Sequence, residues 1–425
     1  MLRRRNRIFL SAALSCVLPW TAFAEDVTSD SATPAFIAEA MQNNPEIIAL
    51  EQAVEGAKGE IRIARKWENP ELSVLPAWKR TPSTRDESGS SAFQGTLELG
   101  QLIEYPGKRV LRRAIAEKEV AMAETALSGF RFQLAAKVEK SIYEVVLAKE
   151  LHKLRGEQVQ SSTEFAEATK QRAESGYASD VEAVRAQAEL IAAKKSLGDA
   201  ESALKQAQIE LASLLGRDPR ALVQVSLRIE QLPEVAPTSD SIEHALKENP
   251  NLKAQLLSVE KAELDVTAAK LSRHPDLTAG PSIEYSDDEQ VYGISVSVPL
   301  PLWDDKSGEI QKAEAEQRKA KAELQALRRE ISAAALSSAE KLRLAQKQVA
   351  LFSPAFRKQL KNAMQQAERS YATTGTTALL YLDAKRTYFE TLADYYDSLR
   401  TFIDAFAELQ AAVGAPIEHQ SKNNR

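Results

Sequence analysis

The chain has 425 residues, a formal net charge of −5 and a single cysteine. At ~150 residues per domain that length allows two or three domains, and the mildly acidic balance argues against a nucleic-acid partner. Aromatic residues make up only 6% while Ala, Leu, Glu, Lys and Gln fill the long segments. That favours extended helices packed through small and aliphatic side chains over one thick core.

Residues 1–24 read as a secretory signal. Arg3, Arg4, Arg5 and Arg7 form its basic end, 8–18 is apolar, and Ala22-Phe23-Ala24 is a small-residue cleavage site. The apolar run is shorter than the ~20 residues that span a bilayer. Cleavage after Ala24 would remove Cys16 and leave no thiol for a disulfide or a metal. Lipidation of Cys16 is the alternative, although Ala13-Leu14-Ser15 is a poor lipobox.

The first repeat is expected over residues 25–216. Its opening helix, 35–66, is interrupted at Asn44-Pro45 and closed by Asn69-Pro70. Two strands follow, at about 71–80 and 92–105, around a polar loop with Pro82 and Gly89. In the second strand Phe93, Gly95, Leu97 and Leu99 alternate with Gln94, Thr96, Glu98 and Gly100, and the spacing predicts a polar face turned to a lumen. A long helix, 108–173, carries Leu134, Val138, Ile142 and Val145 at steps of three and four. A turn at 175–180 then leads into a helix over 180–215, capped by Ser179 or Asp180 and stopped by Gly216. Residues 217–240, with Pro219, Pro233 and Pro237, form a connector.

The order then repeats over residues 241–414. Ile37, Ala40, Met41, Asn44 and Pro45 recur as Ile242, Ala245, Leu246, Asn249 and Pro250, and Leu215-Gly216 as Val413-Gly414. A period of ~200 residues is a duplicated domain-sized unit, far longer than a solenoid repeat. Strands are expected at about 277–285 and 291–302, then a long helix over 306–371, a turn, a helix over 378–413 and a polar tail over 415–425. Gly156 and Pro354 hold equivalent places, so a bend is expected in both long helices.

Strands of ~10 residues suit a tilted membrane crossing, and Trp78, Tyr105, Tyr285 and Trp303 sit near strand ends, as interfacial aromatics do. Four strands cannot close a membrane barrel, because the smallest single-chain barrels have about eight. Three copies would supply about twelve. In each half, the two shorter helices placed end to end match the length of the long one. All strands then lie at one end of a rod and both helical turns at the other.

Nothing marks an enzyme. There is no G-x-S-x-G or H-E-x-x-H, and His152, His244, His274 and His419 are scattered rather than paired at metal-ligand spacing. Gly107-Lys108-Arg109 lacks the upstream glycine and the Ser/Thr of a P-loop. No cofactor and no resident metal site are expected.

Four pieces carry a resemblance: Asn44-Pro45-Glu46; Gln101-Leu102-Ile103 followed by Gly107-Lys108-Arg109; Gly176-Tyr177-Ala178-Ser179-Asp180-Val181 leading to Ala186-Gln187; and Tyr371, Gly375 and Leu382-Asp383-Ala384-Lys385-Arg386. In this order the chain resembles the TolC-family outer-membrane efflux channels, above all their CzcC-like cobalt–zinc–cadmium branch. The resemblance implies a mostly α fold with a membrane β-barrel. Each homotrimer would hold a twelve-stranded barrel in the outer membrane of a Gram-negative bacterium, continuous with a long periplasmic α-helical barrel. It implies a periplasmic adaptor (membrane fusion protein) and an inner-membrane RND-type pump as partners. It places Gly176, Tyr177, Ser179, Asp180, Gly375 and Thr376 in the tip turns that meet the adaptor, and Asp383 and Tyr371 at a periplasmic gate. Where other members carry a second tip aspartate, this chain has Leu380. The implied cargo is a divalent heavy-metal cation, with drugs or a secreted polypeptide as the alternative. A periplasmic coiled-coil adaptor without a pore is the alternative of another class, and two long hairpins with amphipathic strands count against it.

Overall fold

A computed structural model describes residues 32–81, 90–220, 223–227, 241–286, 289–374 and 378–416. The signal segment with Cys16, most of the connector, the end of the tail, and Gly375 and Thr376 lie outside the described residues.

Each half begins with a helix pair split by an Asn-Pro step. Helix α1 (Ala32–Asn43) gives way to α2 (Pro45–Arg65) because the Asn44 side chain accepts from the Glu46 amide at 2.8 Å and Pro45 occupies the first helical turn. Asn249 separates α5 (Ser241–Glu248) from α6 (Pro250–Leu271) in the same way, its Oδ1 accepting from Asn251 N at 2.9 Å.

The strands β1 (Glu71–Thr81), β2 (Ser90–Ile103), β3 (Leu277–Tyr285) and β4 (Gln290–Ser297) form one antiparallel sheet in the order β1-β2-β3-β4. The last strand stops short of the expected 302, because Pro299 and Pro301 have no amide to give the ladder. The register puts Trp78 opposite Phe93, Leu97 opposite Ile283 and Pro281 opposite Ile294. These belong to an exposed apolar face that also holds Leu72, Val74, Leu99, Tyr292 and Val296. The other face carries Gln94, Thr96, Glu98, Ser282, Glu284 and Ser295, with Thr96 paired to Glu284 and Glu98 to Ser282. An apolar outside and a polar inside are what a membrane barrel needs. Among the described residues no helix is long and apolar enough to cross a membrane.

The returning helices differ between the halves. Helix α3 (Lys108–Glu174) runs unbroken for 67 residues, straight through Gly156. Its counterpart is two helices, α7 (Ser307–Leu351) and α8 (Pro354–Thr374), parted at Phe352-Ser353. The expected pair of interruptions is therefore one. Glycine in a helix interior costs about 1 kcal/mol and keeps its hydrogen bond. Proline costs about 3 kcal/mol, lacks the donor and collides with the carbonyl four residues back. Helices α4 (Asp180–Leu214) and α9 (Ala378–Val413) complete the two halves.

Helix α3 packs along α2 and α4 on one side and along α6 and α9 on the other, and α7 and α8 lie beyond α6 and α9. The layers thus run α2/α4, α3, α6/α9, α7/α8. The outermost layers have a partner on one side only, as do β1 above α2 and β4 above α7. Ile48 and Ile63 on α2, Val181, Val184 and Ile191 on α4, and Leu336, Leu344 and Leu351 on α7 are left exposed. Unpaired strand edges and exposed aliphatic rows on the same two flanks are surfaces suited to a neighbouring chain.

Below the sheet the halves are pinned together. Lys108 Nζ and the Tyr105 amide both donate to Asp276, at 2.8 and 2.7 Å, and the Tyr105 ring stacks on His274 at 4.3 Å.

Candidate functional site: the helical tip

Helix α3 ends in a Schellman turn, with Gly176 N donating to Ala173 O at 3.0 Å and Tyr177 N to Arg172 O at 2.8 Å. Gly176 takes φ +78°, the left-handed region where glycine has no Cβ penalty. Ser179 then starts α4 by accepting from the Glu182 amide at 3.3 Å, and Asp180 and Glu182 sit in the positively polarised first turn. Tyr177 is 81% exposed, with Val181 and Val184 beside it in sequence also open to solvent.

The end of α8 and the start of α9 meet α3 and α4 close to this turn. Phe165 and Ala166 of α3, Ala186 and Leu190 of α4, and Ala378 and Tyr381 of α9 form one buried cluster, with Ala367 and Tyr371 of α8 packed against it. The end of α8 and the start of α9 therefore lie at the same end of the molecule as the turn between α3 and α4. At 1.5 Å per residue, α3 carries that end about 100 Å from the sheet.

Tyr371 and Asp383, the expected gate residues, occupy different surfaces of this bundle. The Tyr371 hydroxyl is 3.2 Å from Thr169 Oγ1, its ring lies 5.2 Å from Phe165 and 5.6 Å from Tyr381, and the Arg172 guanidinium sits 5.0 Å above it. It is wedged between α3 and α9. Asp383 lies on the exposed stripe of α9 with Leu379, Leu380 and Arg386, and Arg386 is held by Glu390 at 2.7 Å.

The sequence reading assigned no role to Lys385, two residues on. Its side chain is 1% exposed, and its Nζ donates to Ser162 Oγ of α3 at 2.9 Å. Burial pushes its ammonium down to about 8, against the opposing pull of Glu189, Glu368 and Glu164. The signal was available in the period. Ala378, Tyr381, Lys385, Tyr388, Leu392, Tyr395, Leu399, Phe402, Phe406, Leu409 and Val413 step alternately by three and four, a heptad seam with one charge in it. Two hydroxyl contacts flank that charge, Ser161 with Tyr381 at 3.3 Å and Thr169 with Tyr371 at 3.2 Å, and each also ties α3 to α8 or α9.

Among the described residues no group of three His, Cys, Asp or Glu side chains could hold a metal ion. What this end offers is the exposed turn between α3 and α4 and a bundle whose helices are joined by a few polar contacts.

A four-stranded third of a barrel wall with a lipid-type outside and a polar inside, set on a helical rod whose flanks call for neighbours, is one protomer of an outer-membrane channel. The fold class is mostly α with a membrane β-barrel, and the sheet is one chain's share of a trimeric outer-membrane factor. The family model described as "Outer membrane efflux protein" matches residues 36–217 and 241–415, and the chain belongs to that family. It is a TolC-family outer-membrane efflux channel, which sets aside the adaptor without a pore. The chain is 25% identical to the cobalt-zinc-cadmium resistance protein CzcC of Cupriavidus metallidurans over 433 aligned positions, covering 97% of this chain and all of that relative. Among solved structures, CusC superposes with a TM-score of 0.76 at 16% identity, over 91% of this chain and 93% of that one. The Campylobacter jejuni CmeC outer membrane channel gives 0.75 at 16% identity, over 98% and 96%.

Proposed function

We propose that this protein is the passive exit duct of a tripartite efflux system and that its cargo is a divalent heavy-metal cation. The observation that carries the cargo is the end-to-end likeness to a relative named for cobalt, zinc and cadmium resistance. The duct is a homotrimer in the outer membrane, with its helical rods in the periplasm. An RND-type pump in the inner membrane supplies the energy, and a periplasmic adaptor joins the two. The rim turns, Gly176, Tyr177, Ser179 and Asp180 with Gly375 and Thr376, are the adaptor-contacting surface in this reading. The polar sheet face supports passage of cations without holding them, since Glu98 and Glu284 stand among hydroxyls and amides rather than in a closed ligand set.

A strain lacking the protein, grown on a panel of Zn, Co, Cd, Ni and Cu salts and of hydrophobic drugs, tests the cargo. Selective metal sensitivity, reversed by the intact gene, is the expected result. Selective drug sensitivity would keep the duct and replace its cargo.

Asp383 is the gate carboxylate in this reading, because its outward place on α9 lets three copies face one another about the trimer axis. Like charges brought together repel and attract a cation. Asp383→Ala is expected to raise the conductance of purified trimers in planar bilayers and weaken their cation preference. An unchanged current and selectivity would remove Asp383 from the constriction.

A further inference from the structure

Lys385 sits where the two coils of the tip, α3/α4 and α8/α9, come together. An ammonium has three donors. Ser162 Oγ accepts from one at 2.9 Å, and no ion pair with a described carboxylate satisfies the others. The rings of Phe165 and Tyr381 lie 6.0 Å from Nζ, at the outer limit of a cation–π contact. The charged and titratable groups facing it are Glu164 from α3, Glu189 from α4, Glu368 from α8 and Tyr381 from its own helix. Asp383 and Arg386 point outward on α9. Every other side chain of the α9 seam is uncharged. A full charge taken out of water with one hydrogen bond is costly, and the cost disappears as soon as water reaches it.

We propose that Lys385 is a spring set against closure of the tip. Packing α8/α9 on α3/α4 holds its ammonium dry, and parting the coils returns it to water and to the carboxylates of Glu189 and Glu368. This rests on the tip being the channel's gate. The direction with pH follows from the two states. A lysine in water keeps its proton to 10.5, whereas the packed state lets it go near 8. Between those values the closed tip binds fewer protons than the open one, so raising the pH through that window favours closure. Below about 8 both states are protonated and the spring acts at full strength.

The test is the open probability of reconstituted full-length trimers between pH 7 and 10.5, for the wild type, Lys385→Met and Ser162→Ala. Lys385→Met keeps the length and apolar stem and removes the charge. The wild type is expected to open less as the pH rises, its open-to-closed ratio falling by up to about tenfold per pH unit between about 8 and 10.5. Lys385→Met is expected to stay closed and flat across the range, and Ser162→Ala, which removes the one acceptor, to open more than wild type at pH 7. If Lys385→Met fails to assemble, Lys385→Arg carries the test. Its guanidinium stays charged throughout, so its profile is expected to be flat and open. A Lys385→Met profile that follows the wild type overturns the inference, because a lysine that only sets helix register gives no pH slope. Asp383→Ala measured alongside separates the two readings. If that variant alters the current and Lys385→Met does not, the gate stands and the spring falls. If neither alters it, both fall.

Discussion

Gly280→Ala is expected to abolish the assembled barrel. A Cβ built on Gly280 falls 1.6 Å from the Leu99 carbonyl oxygen and 2.8 Å from its carbon. Both obstacles are backbone of the neighbouring strand, so no side-chain rotation relieves the clash. The approach is this close because Pro281, next in β3, has no amide to give, and the β2–β3 register is interrupted opposite it between Glu98–Ser282 and Gln101–Ala279. Among the described residues β2–β3 is the one seam joining the two hairpins, so prying it apart splits the sheet into two isolated pairs. Two-stranded pieces are not stable alone. The measurement is the heat-sensitive trimer band of the outer-membrane fraction. Gly95→Ala is the control on the same sheet, with its nearest neighbour 3.6 Å away at Leu75 O. A normal trimer yield from Gly280→Ala would mean that the two hairpins can shift apart and still pair.

Gly414→Ala is expected to cost the helical rod far more than Gly176→Ala, although the two glycines share a conformation. Gly414 has φ +74° and Gly176 +78°, and a Cβ in that region costs roughly 1–2 kcal/mol at either place. Their surroundings differ. The added carbon at Gly414 meets Pro250 Cδ at 2.5 Å and Asn249 Cα at 2.9 Å, whereas nothing lies within 4 Å of it at Gly176. Asn249 cannot yield freely, because its side chain caps α6 and also donates to Ala412 O at 2.9 Å. Overpacking there adds about 1–3 kcal/mol, which brings Gly414→Ala to ~2–5 kcal/mol in all. Denaturation midpoints of the solubilised protein measure the difference. Equal shifts for the two variants would show that the α5–α6 corner gives way.

Most of the architecture is written in local patterns. The Asn-Pro steps, the period-two runs around Phe93 and Tyr292 and the closing glycines mark helix starts, strands and helix stops, and each recurs in the second half. Patterns of that kind are legible because one backbone rule decides each of them. Where two effects compete, the sequence was less informative. Gly156 and Pro354 both weaken a helix, yet one is passed over and the other parts α7 from α8, because only proline removes a donor and adds a clash. At the tip, Tyr371 and Asp383 stand out by motif, but which of them turns into the bundle depends on the meeting of four helices distant in sequence. Lys385 escaped notice for the opposite reason. A lysine in a stretch rich in charged residues looks solvated until the seam it interrupts is counted out in sevens.

The sheet with partners missing at both edges has a genetic consequence. A barrel that takes one third of its wall from each of three chains is only as sound as its worst contributor. A variant that still joins its neighbours but carries a defective tip spoils every complex it enters. With equal amounts of normal and variant chain, random mixing leaves about one complex in eight free of the variant. A variant such as Gly280→Ala, which cannot join at all, spoils nothing and leaves the normal chains to assemble among themselves. Harm from tip alleles is therefore dominant, and harm from sheet-splitting alleles recessive.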